Sequence, residues 1–399
     1  MNRPRLCAVA VRSGAGALER LRAANQRTVL ATLASEGPMS RADVVRSTGL
    51  SRTTVSSLVA DLIRGGQVVE TADRGRPHKG GSGRPPVLVA LSAPAGAVAG
   101  VDFGHEHVRV AVADRAGVVR AEDEVHLDVD ADGAQALDRV DAIVRELVER
   151  AGFTPEELTA VGMCVPAPID RRSAGIRTPI MPGWHGLHPG EELRRRLGVP
   201  VFADNDANLG ALAELTQGAA RGAHDVIYIK IASGLGAGIV LGGRLHRGTT
   251  GAAGEIGHVQ VGEDGPVCRC GHRGCLETLA SGPRLMDLLR PAYGETLGWA
   301  DVQALEASGD RGVRRVLSDA GRQVGRAVAD LANSLNPELI VMGGPVGRVP
   351  SVVEGVRWAV GRYAQPETSA ALRVVAGRLE DRSQVVGAVA LAINRVASG

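Results

Sequence analysis

The run Ile231-Ala-Ser-Gly-Leu-Gly-Ala-Gly238 is followed by Gly254-Glu-Ile-Gly-His258 and then by Cys268-Arg-Cys-Gly-His-Arg-Gly-Cys275. Strand-like segments flank the first run, Val226 to Ile231 and Ala237 to Leu241, so its glycines read as a tight connection between buried strands. The last run packs three cysteines into eight positions. The chain has five in all: Cys7, Cys164, Cys268, Cys270 and Cys275. An odd, clustered set argues against a disulfide framework and for a metal site in a reducing compartment, the cytoplasm. Three thiolates with one imidazole form the closed tetrahedral set suited to structural Zn²⁺. His258 gives the spacing H-x9-C-x-C-x4-C, with His272 inside the run as a competing donor.

Outward from this centre the texture is α/β. Ile340 to Gly344 reads as a late strand entering a second glycine turn. Toward the N-terminus, Val98 to Phe103 and Val108 to Asp114 read as a hairpin around Gly104-His-Glu-His107. Ala134 to Ala151 reads as a helix and Ala160 to Val165 as another buried strand. This body is expected to span residues 94–399.

The stretch 18–93 is different. Leu18 to Ala34 has helical apolar spacing and ends at Glu36-Gly-Pro38. Ser40, with Asp43 three residues on, has the form of a capping box opening a second, short helix. Gly49 stops it, and Ser51 caps a third helix with Val55, Leu58, Val59 and Leu62 on its inward face. Helix, glycine turn and helix make a helix-turn-helix. The third helix begins with Ser51, Arg52, Thr53, Thr54 and Ser56, the hydrogen-bonding side chains that a recognition helix turns to bases and phosphates. Gln67 to Thr71 and Val87 to Leu91 read as wing strands. Their connecting loop carries Arg74, Arg76 and Arg84 among Gly and Pro, a segment suited to the minor groove. Double-stranded DNA is the expected partner of this head.

Composition agrees with that division. Residues 1–95 hold fourteen Lys and Arg against six Asp and Glu, whereas the remainder holds 32 against 38. A basic head on an acidic body points to a polyanion partner for the head alone. Residues 1–17 read as a basic flexible arm, too briefly apolar for a secretory signal. No run reaches the ~18 apolar residues of a membrane span. With 399 residues, two or three folded units are expected.

Taken together, Ile231–Gly238, Gly248 and Gly254–His258 resemble the ROK family of repressors, open reading frames and sugar kinases. Asp204-Asn-Asp-Ala-Asn208 is similar to that family's sugar-site segment, and Gly343-Gly344 to its adenosine-side turn. With the winged head, the resemblance covers nearly the whole chain and implies the repressor branch. The implied architecture is multidomain: a winged helix-turn-helix followed by a two-lobed actin-like ATPase fold of the sugar-kinase kind. The resemblance also favours His258 over His272 as the fourth zinc ligand, beside Cys268, Cys270 and Cys275, in a loop spanning 255–277. It implies sugar contacts from Thr178, Asn205, Asp206, Glu255, His258 and Glu277.

A kinase of this group needs Asp206 as the base and an Asp-x-Gly-Gly-Thr loop that admits phosphates and metal. The loop here reads Asp102-Phe-Gly-His-Glu-His107, with His105 and Glu106 replacing the second Gly and the Thr. A carboxylate ~4 Å from a phosphate costs ~4 kcal/mol even at an effective dielectric of ~20, more than a neutral hydrogen bond returns. Ala167 also stands where the kinases usually have Gly, and Pro179-Ile-Met-Pro-Gly-Trp184 lacks their Asn. The expectation is a cytoplasmic, non-catalytic regulator, a repressor of carbohydrate metabolism. It would bind an operator as a homodimer or dimer of dimers and sense a sugar or sugar phosphate. An ATP-dependent sugar kinase with an accessory DNA-binding head is the competing expectation.

Overall fold

Polar punctuation sets the helix boundaries of the head. In the computed structural model, which describes residues 15–74, 86–92, 96–176 and 181–398, helix α1 spans Ala15–Glu36. It therefore starts inside the stretch expected to be an arm, the rest of which lies outside the described residues. A two-residue strand, β1 (Met39–Ser40), leads into α2 (Arg41–Thr48). The Ser40 hydroxyl accepts from the Asp43 amide at 3.2 Å, and Asp43 accepts the Ser40 amide at 3.1 Å, the reciprocal bonds of a capping box. Gly49 closes α2 at φ +70°, a left-handed conformation that other residues adopt only with strain. Ser51 then caps α3 (Arg52–Arg64) by accepting the Thr54 amide at 3.1 Å.

Strands β2 (Val68–Arg74) and β3 (Val87–Leu91) complete an antiparallel sheet in the order β1-β3-β2, with Met39 opposite Val89 and Val68 opposite Leu91. Val29 and Leu33 of α1 meet Val44, Val55, Leu58, Val59 and Leu62 over this sheet. Each fully buried aliphatic contributes up to ~1.5–3 kcal/mol, so the inward face of α3 alone anchors the head.

The chain divides into units Met1–Ala95 and Gly96–Gly399. In the second, β4 (Ala97–Phe103), β5 (His107–Asp114) and β6 (Val119–His126) form an antiparallel meander. After α4 (Gly133–Arg150), β7 (Leu158–Val165) joins parallel to β4; after α5 (Pro189–Leu197), β8 (Val201–Asn205) joins parallel to β7. The sheet order is β6-β5-β4-β7-β8. Helix α6 (Asp206–Thr216) leads to β9 (Val226–Ile231), β10 (Leu235–Leu241) and β11 (Arg244–His246). Then come α7 (Glu277–Ala280), α8 (Gly282–Tyr293), α9 (Trp299–Ser308), α10 (Arg311–Leu335) and β12 (Leu339–Gly343). The chain ends with α11 (Gly344–Gly347), α12 (Pro350–Tyr363), α13 (Pro366–Ala371), β13 (Arg373–Ala376) and α14 (Ser383–Ser398). The second sheet runs β11-β10-β9-β12-β13. Two sheets of five strands each make the two lobes.

Alternation along β4 explains how the layers assemble. Ala97, Ala99, Val101 and Phe103 pack toward Leu137, Val140 and Val144 of α4. Val98 faces the other way, onto Val385 and Val389 of α14. Gly100 and Gly162, paired across β4 and β7, lie under that helix. A Cβ at Gly162 would come within 2.0 Å of the Ala388 carbonyl oxygen, so only glycine allows this approach. Helix α14 thus packs on the first sheet, and α6, packed on α14, also covers β9 and β10 of the second.

Candidate functional site

Strand β8 runs straight into α6, and the junction carries three polar side chains in a row. Asp204, 7% exposed, accepts Arg247 Nε at 2.7 Å and Asn208 Nδ2 at 2.9 Å. Asn205 caps α6 by accepting the Ala207 amide at 2.9 Å, and its Nδ2 lies 3.4 Å from the Ala167 carbonyl oxygen. Asp206, 8% exposed, opens the helix and pairs with Lys230 Nζ at 2.5 Å. The helix terminus fixes all three rigidly because their oxygens satisfy amides that would otherwise lack partners.

Asn205 and Asp206 line a narrow cavity with Glu255, His258 and Glu277, together with the glycine turn between β9 and β10. Glu277 is 8% exposed; it accepts Arg269 Nε at 2.9 Å and the Leu235 amide at 3.0 Å. Burial first, then the Asp206 and Glu277 charges, push Glu255 up to about 7. Five of the six expected sugar contacts therefore converge on one cavity; the sixth, Thr178, lies outside the described residues. An enclosure of buried carboxylates, an amide and an imidazole offers acceptors and donors at fixed positions, the arrangement that selects a polyhydroxylated ligand.

His258 faces two ways. Its Nδ1 is 3.5 Å from Cys268 Sγ, and its Nε2 is 3.8 Å from Glu255. Cys270 Sγ lies 3.6 Å from Cys275 Sγ, and the ligand atoms of His258, Cys268, Cys270 and Cys275 all lie within 4.8 Å of one another. Around a tetrahedral ion with Zn–S of ~2.3 Å the donors would sit roughly 3.5–3.8 Å apart, so the set fits such an ion. His272, the competing donor, is exposed and outside this group.

Where the altered loop joins β4 to β5, His105 Nδ1 is 2.8 Å from Asp130 and Glu106 is exposed. His107 Nε2 is 3.6 Å from Asp102, which is 3% exposed. The Asp102 carboxylate lifts His107 above its ordinary 6.5 against the effect of burial. Burial acts to raise Asp102, but His107 and Lys230 outweigh it and hold this carboxyl below its usual range. A cavity of about 430 Å³ remains here, lined by Asp102, His105, Glu106, His107, Lys230 and the Gly344 turn. The two substituted side chains narrow this side without filling it.

In the head, Ser51, Arg52, Thr53 and Ser56 are exposed and Thr54 is half-buried, while Val55, Leu58, Val59 and Leu62 are buried as expected. The Ser51 hydroxyl is engaged by its cap and by Thr53 and Thr54, at 2.9 and 2.8 Å. Arg52 has no ion-pair partner among the described residues. The side chain of Arg74, at the end of β2, lies outside the described residues, as do Arg76 and Arg84 entirely.

Sequence reasoning missed Lys230 and Arg269. A lysine inside the apolar strand Val-Ile-Tyr-Ile-Lys-Ile was the available signal for the first. For the second it was an arginine wedged between two cysteines of the candidate metal cluster.

A sugar-kinase-like body with a polar cavity, carrying a winged helix-turn-helix, is the class defined by this fold and site. The ROK family model matches residues 98–395, and the chain belongs to the ROK family. A model described as the IclR helix-turn-helix domain matches residues 27–72. The chain is 28% identical over 392 residues to a xylose repressor from Caldicellulosiruptor bescii, covering 95% of this chain and 97% of that protein. A solved ROK family transcriptional regulator, a homolog of the E. coli MLC protein, superimposes with a TM-score of 0.75 at 26% identity, covering 94% of this chain and 96% of the other. A ROK family glucokinase from Streptomyces griseus, in complex with glucose and AMPPNP, gives 0.67 at 29% identity, covering 75% of this chain and all of the other. No helix among the described residues is long and apolar enough to cross a membrane.

Proposed function

We propose that this protein is a DNA-binding transcriptional regulator, a repressor of genes of carbohydrate metabolism, whose kinase-like body reads a sugar without phosphorylating it. One observation carries the reading. A single chain holds an exposed, polar helix start in a winged helix-turn-helix and a cavity lined by Asn205, Asp206, Glu255, His258 and Glu277. The similarity to a xylose repressor over almost the whole of both chains supports it.

In this reading the operator is met by Ser51, Arg52, Thr53, Thr54 and Ser56, with Arg74, Arg76 and Arg84 on the wing. Paired half-sites call for a homodimer or a dimer of dimers. His258, Cys268, Cys270 and Cys275 would hold Zn²⁺, which braces the 255–277 loop. The residues themselves do the reading. Asp206 and Glu277 accept ligand hydroxyls, and His258 presents Nε2 to the cavity. Three thiols that must stay reduced support a cytoplasmic location. A sugar acts on the operator only by binding two conformations of the protein with different affinity.

Operator titration at fixed salt, with and without a panel of sugars and sugar phosphates, tests this. One sugar should shift the dissociation constant, and identical constants throughout would remove the sensing role. The kinase reading keeps some support from the 430 Å³ cavity beside Asp102 and Lys230. Turnover above ~1 s⁻¹ with ATP, Mg²⁺ and any hexose would favour it over ours.

A further inference from the structure

Lys230 stands where both cavities meet. It lines each of them, one beside Asp206 and the other beside Asp102. Its neighbours across the sheet are Gly236 on β10 and Gly343 on β12, so no side chain from either strand competes for the space above it. The stem is mostly enclosed, at 17% exposed, and the ammonium contacts the 11%-exposed Asp206 carboxylate at 2.5 Å. Burial alone would lower Lys230, but Asp206 and Asp102 outweigh it and keep the ammonium charged.

Two nearly buried carboxylates from different elements, left to themselves, demand a cation. In phosphoryl-transfer sites carboxylates hold Mg²⁺ against the phosphates. We propose that Lys230 is a tethered counter-ion occupying this role, so that the cleft between Asp102 and Asp206 takes up no divalent ion. The group that a kinase of this fold would require therefore does not fit. A divalent ion could enter only by expelling an ammonium that pairs directly with Asp206 and acts on Asp102 through its charge. Asp206 meanwhile stays an ionised acceptor, committed on one oxygen to Lys230 and on the other to the Ala207 amide at 2.7 Å. This account is stronger than exclusion by His105 and Glu106, because one is turned to Asp130, the other is exposed, and the cavity beside them is open. It is independent of which sugar the protein senses.

Mn²⁺ binding to the full-length, zinc-loaded protein, read by electron paramagnetic resonance of the free ion, tests it without any activity or DNA measurement. The wild type and Lys230→Arg should show no site that depends on Asp102. Lys230→Ser should gain one, with affinity raised at least ~10-fold, and Asp102→Asn in that background should abolish it. Zinc content and a cooperative melt establish that each variant is folded. A folded Lys230→Ser with no gain would overturn the proposal. The wild-type titration needs no such variant: a bound Mn²⁺ that Asp102→Asn removes would overturn it equally.

Discussion

Arg52 presents its guanidinium to solvent from the first turn of a helix whose opposite face is wholly buried. Replacing it with alanine touches no packed surface, so Arg52→Ala should keep its melting temperature while losing operator affinity by ~1–3 kcal/mol, or roughly 5- to 150-fold. Unchanged affinity would take Arg52 out of the interface. Cys270 should behave in the opposite way, because a metal with one ligand missing is no longer closed off. Cys270→Ser is expected to emerge with less than one zinc per chain and weakened sugar binding, since Arg269, its neighbour, holds Glu277. Full zinc occupancy by elemental analysis would refute this. His107 supplies a pH signature. Asp102 raises it above 6.5, so what the pair adds to stability is complete below about pH 6.5 and fades as pH climbs through the folded value. The melting gap between wild type and His107→Asn should therefore shrink from about pH 5.5 to about pH 9. A gap that grows with pH would contradict the pairing.

At the scale of elements, what could be read from sequence was what is locally written. Ser40, Asp43, Gly49 and Ser51 set the ends of α2 and α3 through bonds spanning three or four residues, and each was visible as a residue type at a spacing. Ser51→Ala should cost about 1 kcal/mol of head stability by that logic, measurable in urea. The four residues that could hold a metal were legible for the same reason. Strand β6 was not, because Val-Arg-Ala-Glu-Asp-Glu-Val-His is an edge strand with Ala121 alone buried, and it lacks a clear apolar alternation. The Lys230–Asp206 pair was hidden because its partners are 24 positions apart and meet only once β9 is set against α6. Gly100 and Gly162 looked like ordinary strand glycines until α14 was seen to lie on them. Gly162→Val should abolish that seating, giving protein that melts early or does not accumulate. A variant as stable as the wild type would show that the helix can lift off without loss.

For the whole molecule, the contrast of a basic head and an acidic body has a direct consequence in solution. Operator affinity should fall steeply and log-linearly with salt, while sugar binding to the body should barely respond. Parallel titrations across a salt series would separate the two, and equal slopes would contradict an electrostatic role confined to the head.

Helix α14 is the last element of the described residues, yet it seals the sheet that β4 begins nearly three hundred residues earlier. A nascent polypeptide can therefore finish its three-helix head early in translation. The lobe that follows must wait, its apolar face uncovered, until Ser383–Ser398 has left the ribosome. A stop codon just before that segment would remove the keystone of the first lobe, so the truncated product is expected to be a substrate for chaperones and proteases.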